Sequence, residues 1–217
     1  MGFISVMLDL LFPPKCVFCA KVLGTGEEGW CSKCVESLPW ADNCGRQEGE
    51  SFDLCISPLY YRGAVRKSIL RFKFRGATAH AEVYGRILAD CIRANPSLGY
   101  DVISWVPLSD KRERSRGYDQ AMLLALATAL ELGDVAVETL EKPMDVQAQS
   151  ELGGKQERCA NISGAYVALD EELIDGKCVL LVDDVVTTGS TLDECAKVLL
   201  SAGATRVVCA SLACGHV

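Results

Sequence analysis

The chain has 217 residues, 49% of them apolar, and a net charge of −7; this suits one medium domain with a small appendage and excludes a disordered chain or a protein that coats nucleic acid through bulk charge. The charge is sorted instead: residues 62–75 carry six basic side chains and no acid, whereas residues 117–217 carry six basic against sixteen acidic. Twelve cysteines without a secretory leader predict a reducing, cytoplasmic setting, where thiols serve metals or packing more often than disulfides.

The first stretch, MGFISVMLDLLFPP, stops at Pro13 and Pro14 and is too short to span a bilayer, so no integral membrane segment is expected. Phe3, Ile4, Met7, Leu8 and Leu11 lie at helical spacing and predict a short docked helix. Then Cys16-x-x-Cys19 and Cys31-x-x-Cys34 stand eleven residues apart around Gly24, Gly26 and Gly29. Two such knuckles turn four thiolates toward one point, the arrangement of a structural zinc site. Cys44 and Cys55 lack partner knuckles and read as two buried free thiols, with a decayed second zinc site as the alternative. Residues 1–58 are therefore assigned to an N-terminal helix and zinc-ribbon module, and 59–217 to the main body.

Residues 56–61 read as a strand, and AVRKSILRFKF after Gly63 as a helix ending at Arg75-Gly76. Arg66, Lys67, Arg71, Lys73 and Arg75 cover its polar surface, with Phe72 and Phe74 interleaved. That composition suits either single-stranded nucleic acid, through phosphate contacts and base stacking, or a solvated helix with its aromatics in the core. A second helix is expected over 79–94, a strand over 101–106, a basic loop with Lys111, Arg112, Arg114 and Arg116, a helix over 121–132 and a strand over 135–140. Periodicity fades over 142–160, predicting a mobile lid, and strand-like alternation resumes over 162–169. The βα order predicts an α/β fold with a mostly parallel twisted sheet and flanking helices.

Residues 179–192, VLLVDDVVTTGSTL, concentrate the chemistry. A buried strand runs into Asp183 and Asp184, followed by Thr187, Thr188, Gly189, Ser190 and Thr191 at a helix start. Free N–H groups at a helix N-terminus bind anions, and the paired carboxylates suit sugar hydroxyls and a divalent cation. Neither the Walker pattern nor G-x-G-x-x-G is present. Loops at the carboxyl ends of neighbouring parallel strands converge, so Arg112, Arg114 and Arg116 should face this segment and clamp the far phosphates of the same ligand.

This segment resembles the phosphoribosyl diphosphate (PRPP) signature of type I phosphoribosyltransferases. The resemblance implies that Asp183 and Asp184 bind ribose hydroxyls with Mg²⁺, and that residues 187–191 cradle the 5-phosphate. Together with LFPPKCVFC, CSKC, LRFKFRG, VPLSDKRERSRGYDQA, and Gln149 with Arg158 and Asn161, it makes the whole chain similar to the ComF family of competence proteins. That family joins a double zinc ribbon to a phosphoribosyltransferase-type domain. The resemblance implies cytoplasmic handling of single-stranded DNA during natural transformation, alongside a DNA-translocating helicase and other competence proteins. Any reaction would displace pyrophosphate at the anomeric carbon of PRPP, with Arg112, Arg114 and Arg116 stabilising it as it leaves. Where the family shows Arg-Gly-Phe-Asn-Gln, this chain has Tyr118 and Asp119 at the third and fourth positions, so no donor role carries over to Asp119. A nucleobase-salvage or amidotransfer-type phosphoribosyltransferase and a non-catalytic PRPP sensor are the alternatives.

Overall fold

The computed structural model describes residues 13–143 and 166–215. The expected N-terminal helix and most of the expected lid, with Gln149, Arg158 and Asn161, lie outside the described residues. A short helix α1 (Ser32–Ser37) closes the zinc-ribbon module, and the body then runs β1 (Leu54–Ile56), β2 (Leu59–Tyr60), α2 (Gly63–Phe74), α3 (His80–Arg93) and β3 (Val102–Trp105). It continues through α4 (Asp110–Arg116), α5 (Gln120–Leu132), β4 (Leu140–Glu141), β5 (Val167–Ala168), β6 (Cys178–Val186), α6 (Ser190–Ser201) and β7 (Arg206–Cys214).

β6 and β7 form the centre of a parallel sheet, with β3 beyond β6 and both β1 and β2 beyond β7. The central strands are apolar on both faces because both faces are covered. Leu180, Val182, Val208, Ala210 and Leu212 point into a core shared with α2, α3 and α5. The alternate residues Val179, Leu181, Val207 and Cys209 point into a second core with Leu192, Cys195 and Leu199 of α6. Period-two alternation on a buried sheet thus separates two layers of helices.

Three sequence expectations differ from the structure. Residues 56–61 are not one strand: Ser57 and Pro58 separate β1 from β2, and proline has no N–H to continue the ladder. Because β1 already pairs with residues 208–210 of β7, the sheet begins inside the stretch assigned by sequence to the ribbon module. The basic loop after β3 contains helix α4, built from good helix formers and stopped by Gly117 in the left-handed conformation. The expected strand over 135–140 reduces to a single bridge between Ala136 and Ile103, then β4 pairs antiparallel with β5. Val135 is exposed, so its alternation does not mark a buried face.

Helices α3 and α5 meet where Gly85 allows backbone contact: a Cβ there would sit 2.7 Å from the Ala127 carbonyl carbon and from its Cβ. Gly85→Ala is expected to lower folding stability by about 1–3 kcal/mol through overpacking, seen as a lower urea midpoint with an unchanged slope.

Candidate functional site

The zinc-ribbon module holds a four-cysteine cluster. The ligand atoms of Cys16, Cys19, Cys31 and Cys34 all lie within 4.8 Å of one another, and Cys19 Sγ stands 3.8 Å from Cys31 Sγ. Four sulfurs at about 2.3 Å from a tetrahedral zinc are about 3.8 Å apart, so these residues fit a structural zinc ion. Burial pushes the Cys16 thiol up, but backbone hydrogen bonds from Cys19, Cys31 and Phe18 outweigh it and bring the group to about 7, whereas burial pushes the Cys19 and Cys34 thiols up; a zinc ion would hold the four as thiolates. Among the described residues no second group of three or more ligands forms. Cys55 is buried in the sheet, as expected for a free thiol, whereas Cys44 is only half-buried and accepts a hydrogen bond from Asn95 Nδ2 at 3.3 Å.

The first knuckle is bolted to the body by α2. Arg71 Nη2 donates to the carbonyls of Val17 (2.6 Å) and Phe18 (2.9 Å), the two residues between Cys16 and Cys19. Ser68 Oγ donates to the same Val17 carbonyl and meets Tyr84 Oη at 2.6 Å. The Phe18 ring packs against Trp30 and Tyr84. Burial, with the nearby Arg71 charge, pushes His80 beside Tyr84 down to about 4, so it stays neutral near pH 7. Arg71 is therefore committed inside the protein.

The opposite face of α2 reaches the carboxylate pair. Lys73 Nζ lies 2.8 Å from Asp184 Oδ1, with Asp184 buried at the end of β6. Asp183 Oδ1 accepts the Asp184 backbone N–H at 2.7 Å. Asp183 keeps some exposure, yet burial by the surrounding protein and then the Asp184 charge push its carboxyl up to about 7, against which Lys73 acts to lower it. β6 runs two residues past the acids to Val186, so Asp183 and Asp184 are strand residues rather than loop residues.

After the strand, Thr187 and Thr188 are exposed, Gly189 (φ +81°) occupies the N-cap, and Ser190 and Thr191 open α6. Thr188 Oγ1 and Ser190 Oγ are 2.8 Å apart. The first backbone N–H groups of this twelve-residue helix thus face the same sheet edge as the acids. Behind the turn stand residues that sequence reasoning missed. A Cβ on Gly189 would meet Gln47 Nε2 at 2.8 Å and Phe52 Cζ at 3.3 Å, and Ser51 N–H donates to Asp193 Oδ1 at 2.8 Å. No periodic pattern marks residues 46–53, so only the fold reveals that they buttress the turn before α6.

Because β3 and β6 are adjacent and parallel, with Trp105 opposite Val182, the segment after β3 emerges beside the acids. Arg112, Arg114 and Arg116 lie on α4; the Arg112 side chain is outside the described atoms, Arg114 is exposed and Arg116 is half-buried. The Arg116 guanidinium sits 4.9 Å from the Phe74 ring centroid. Asp119, which replaces an amide of the family pattern, caps α5: its oxygens accept from Met122 N at 3.0 Å and Leu108 N at 2.8 Å. Both roles are acceptor roles, so a carboxylate serves them. Of the five basic residues singled out on α2 and at its C-cap, Arg66, Lys67 and Arg75 are exposed.

A four-thiolate ribbon joined to a parallel sheet with an acid pair before a helix N-terminus defines a phosphoribosyltransferase-type protein with a zinc module. The phosphoribosyl transferase domain family matches residues 116–216 and the double zinc ribbon domain family residues 7–57. The chain is similar to "Competence protein F" of Haemophilus influenzae, 28% identical over 89% of this chain and 93% of the relative. It is also similar to "DNA utilization protein YhgH" of Salmonella typhimurium, 30% identical over 91% of this chain and 96% of the relative. "Competence protein ComFC" of Streptococcus pneumoniae is 29% identical over 83% of this chain and 74% of the relative. The chain belongs to the ComF family. Among the described residues, no helix is long and apolar enough to cross a membrane.

Two outcomes follow from this geometry. Arg71→Met should keep one zinc per chain by metal analysis yet lower stability by about 1.5–3 kcal/mol, because charged hydrogen bonds to two carbonyls are lost. The raised Asp183 carboxyl stabilises the fold most when protonated, so stability is lost as pH rises from about 4 through about 7. Asp183→Asn, neutral throughout, should therefore gain on the wild type in urea melts as pH is raised from about 5 to about 8; a difference that does not change with pH would contradict the assignment.

Proposed function

We propose that the protein binds PRPP with Mg²⁺ at the carboxyl edge of β6 and handles incoming single-stranded DNA along α2. It does so in the cytoplasm, as part of natural transformation, beside a DNA-translocating helicase and other competence proteins. The observation that carries the reading is the conjunction at one sheet edge: carboxylates at Asp183 and Asp184, a helix N-terminus at 187–191, and the arginines of α4. A ligand with a phosphate, vicinal hydroxyls and a second phosphorylated end has a matching partner for each part. The 5-phosphate would take the N–H groups and hydroxyls of Thr187, Thr188, Gly189, Ser190 and Thr191. The ribose hydroxyls would donate to Asp183 and Asp184, while Arg112, Arg114 and Arg116 would meet the diphosphate.

Mg²⁺ fits the same acids, where burial and then the Asp184 charge raise Asp183 and Lys73 acts to lower it. Bound there with the ligand, it would neutralise diphosphate charge. The DNA part of the reading rests on relatives named for competence and DNA utilization and on the exposed Arg66, Lys67 and Arg75 of α2, a helix with no acid.

Titration calorimetry with Mg²⁺-PRPP tests the ligand. The wild type should bind, and Asp183→Asn and Asp184→Asn should each weaken binding about tenfold or more; a wild type that gives no binding heat removes the reading. For DNA, replacing Arg66, Lys67 and Arg75 together with Gln should reduce the slope of log affinity against log salt by about two, at about 0.7 per phosphate contact on a single strand. Pyrophosphate release from PRPP, assayed with nucleobases and with DNA ends, separates a transferase from a sensor.

A further inference from the structure

Phe74 is the last residue of α2 and is 61% exposed, while Phe72 on the same helix is fully buried. A single exposed apolar side chain is ordinary, but Phe74 is the ordered part of a small assembly. The Arg116 guanidinium lies over its ring at 4.9 Å from the centroid. Arg116 is in turn held by Gln120, whose Oε1 accepts from Nη1 at 2.5 Å and whose Nε2 donates to the Tyr118 carbonyl at 2.9 Å. Gln120 is 1% exposed, so it is a fixed anchor rather than a surface side chain. Tyr118 Oη donates to the Phe72 carbonyl, and the two rings pack at 6.1 Å, tying the start of α5 to the end of α2. The next residue inward, Lys73, is the one that pairs with Asp184.

We propose that Phe74, backed by Arg116, is a stacking platform for one nucleobase of a single-stranded nucleic acid, and that it holds this base beside the carboxylate pair. The inference rests on the PRPP and single-strand reading above and adds the residue that receives the base. A guanidinium over one aromatic ring presents a flat, cationic-backed surface, and any base can stack on it because every base has a π-face. The flanking Arg75 and the exposed Arg66 and Lys67 supply the charge that a phosphate backbone needs. Lys73, the neighbour of Phe74, pairs with Asp184, and Arg116 lies on the helix that follows β3 next to β6, so a strand seated on Phe74 would run past the sugar-phosphate site.

The test uses the full chain, oligodeoxythymidylate of about 12 nucleotides, a length that spans a typical single-strand site, and Mg²⁺-PRPP as a separate ligand. Phe74→Ala and Phe74→Leu should each weaken oligonucleotide binding at least about fivefold, the lower end of a lost base–aromatic stack. Their salt slope should match the wild type, since no phosphate contact is removed. Phe74→Trp should restore strand binding and show added fluorescence quenching when the strand binds. Variants that bind the strand as the wild type does, or a Phe74→Trp chain without added quenching, would overturn the platform while leaving PRPP binding intact. A wild type that binds PRPP but no strand would overturn the DNA reading and the platform with it.

Discussion

The ion pair between Lys73 and Asp184 at 2.8 Å is the contact on which the site depends. Asp183 is desolvated at the end of a buried strand and faces the neighbouring Asp184 charge; burial first and this repulsion second raise its carboxyl to about 7. A single ammonium brought in by a neighbouring helix offsets part of that repulsion. It also fixes where α2 lies against the sheet edge. Two residues earlier, about 200° round a helix, Arg71 holds the backbone of the first cysteine knuckle. The helix is thus clamped between the metal module and the acids, and neither side chain of the clamp is spare surface charge.

This arrangement gives the small ribbon a mechanical role. A module of a few dozen residues has too little core to hold its own shape, and four thiolates around zinc supply the missing rigidity. Its knuckle braces α2 on one side of the sheet. Its trailing segment, through Gln47, Phe52 and the Ser51–Asp193 hydrogen bond, packs behind the turn that opens α6. The same module therefore supports the acid pair through α2 and the turn before α6 directly, and β1, in the sheet, follows the ribbon without a linker.

Much of this was legible in sequence. Buried parallel strands write themselves as apolar runs, so the signature strand is legible, and cysteine spacing marks the metal cluster. What escaped was partnership. The charge pattern of α2 gives the sign of each residue but not what it faces, and two of the five cations turn inward to Val17, Phe18 and Asp184. Counting charges also hid α4, whose DKRERSR sequence is a good helix as well as a basic patch. The strand expected at 135–140 failed because its alternation points Val135 to solvent. Asp119 looked like a lost donor and is an N-cap acceptor, a distinction that only the neighbouring Met122 and Leu108 amides decide.

The most direct measurement of the central claim is a double-mutant cycle on folding stability with Lys73→Met, Asp184→Asn and the double variant. If α2 is held to β6 by this ion pair, the two substitutions should be non-additive by about 1 kcal/mol or more. Additivity within about 0.3 kcal/mol would mean that the two residues act independently, and the clamp that joins the ribbon to the site would be wrong.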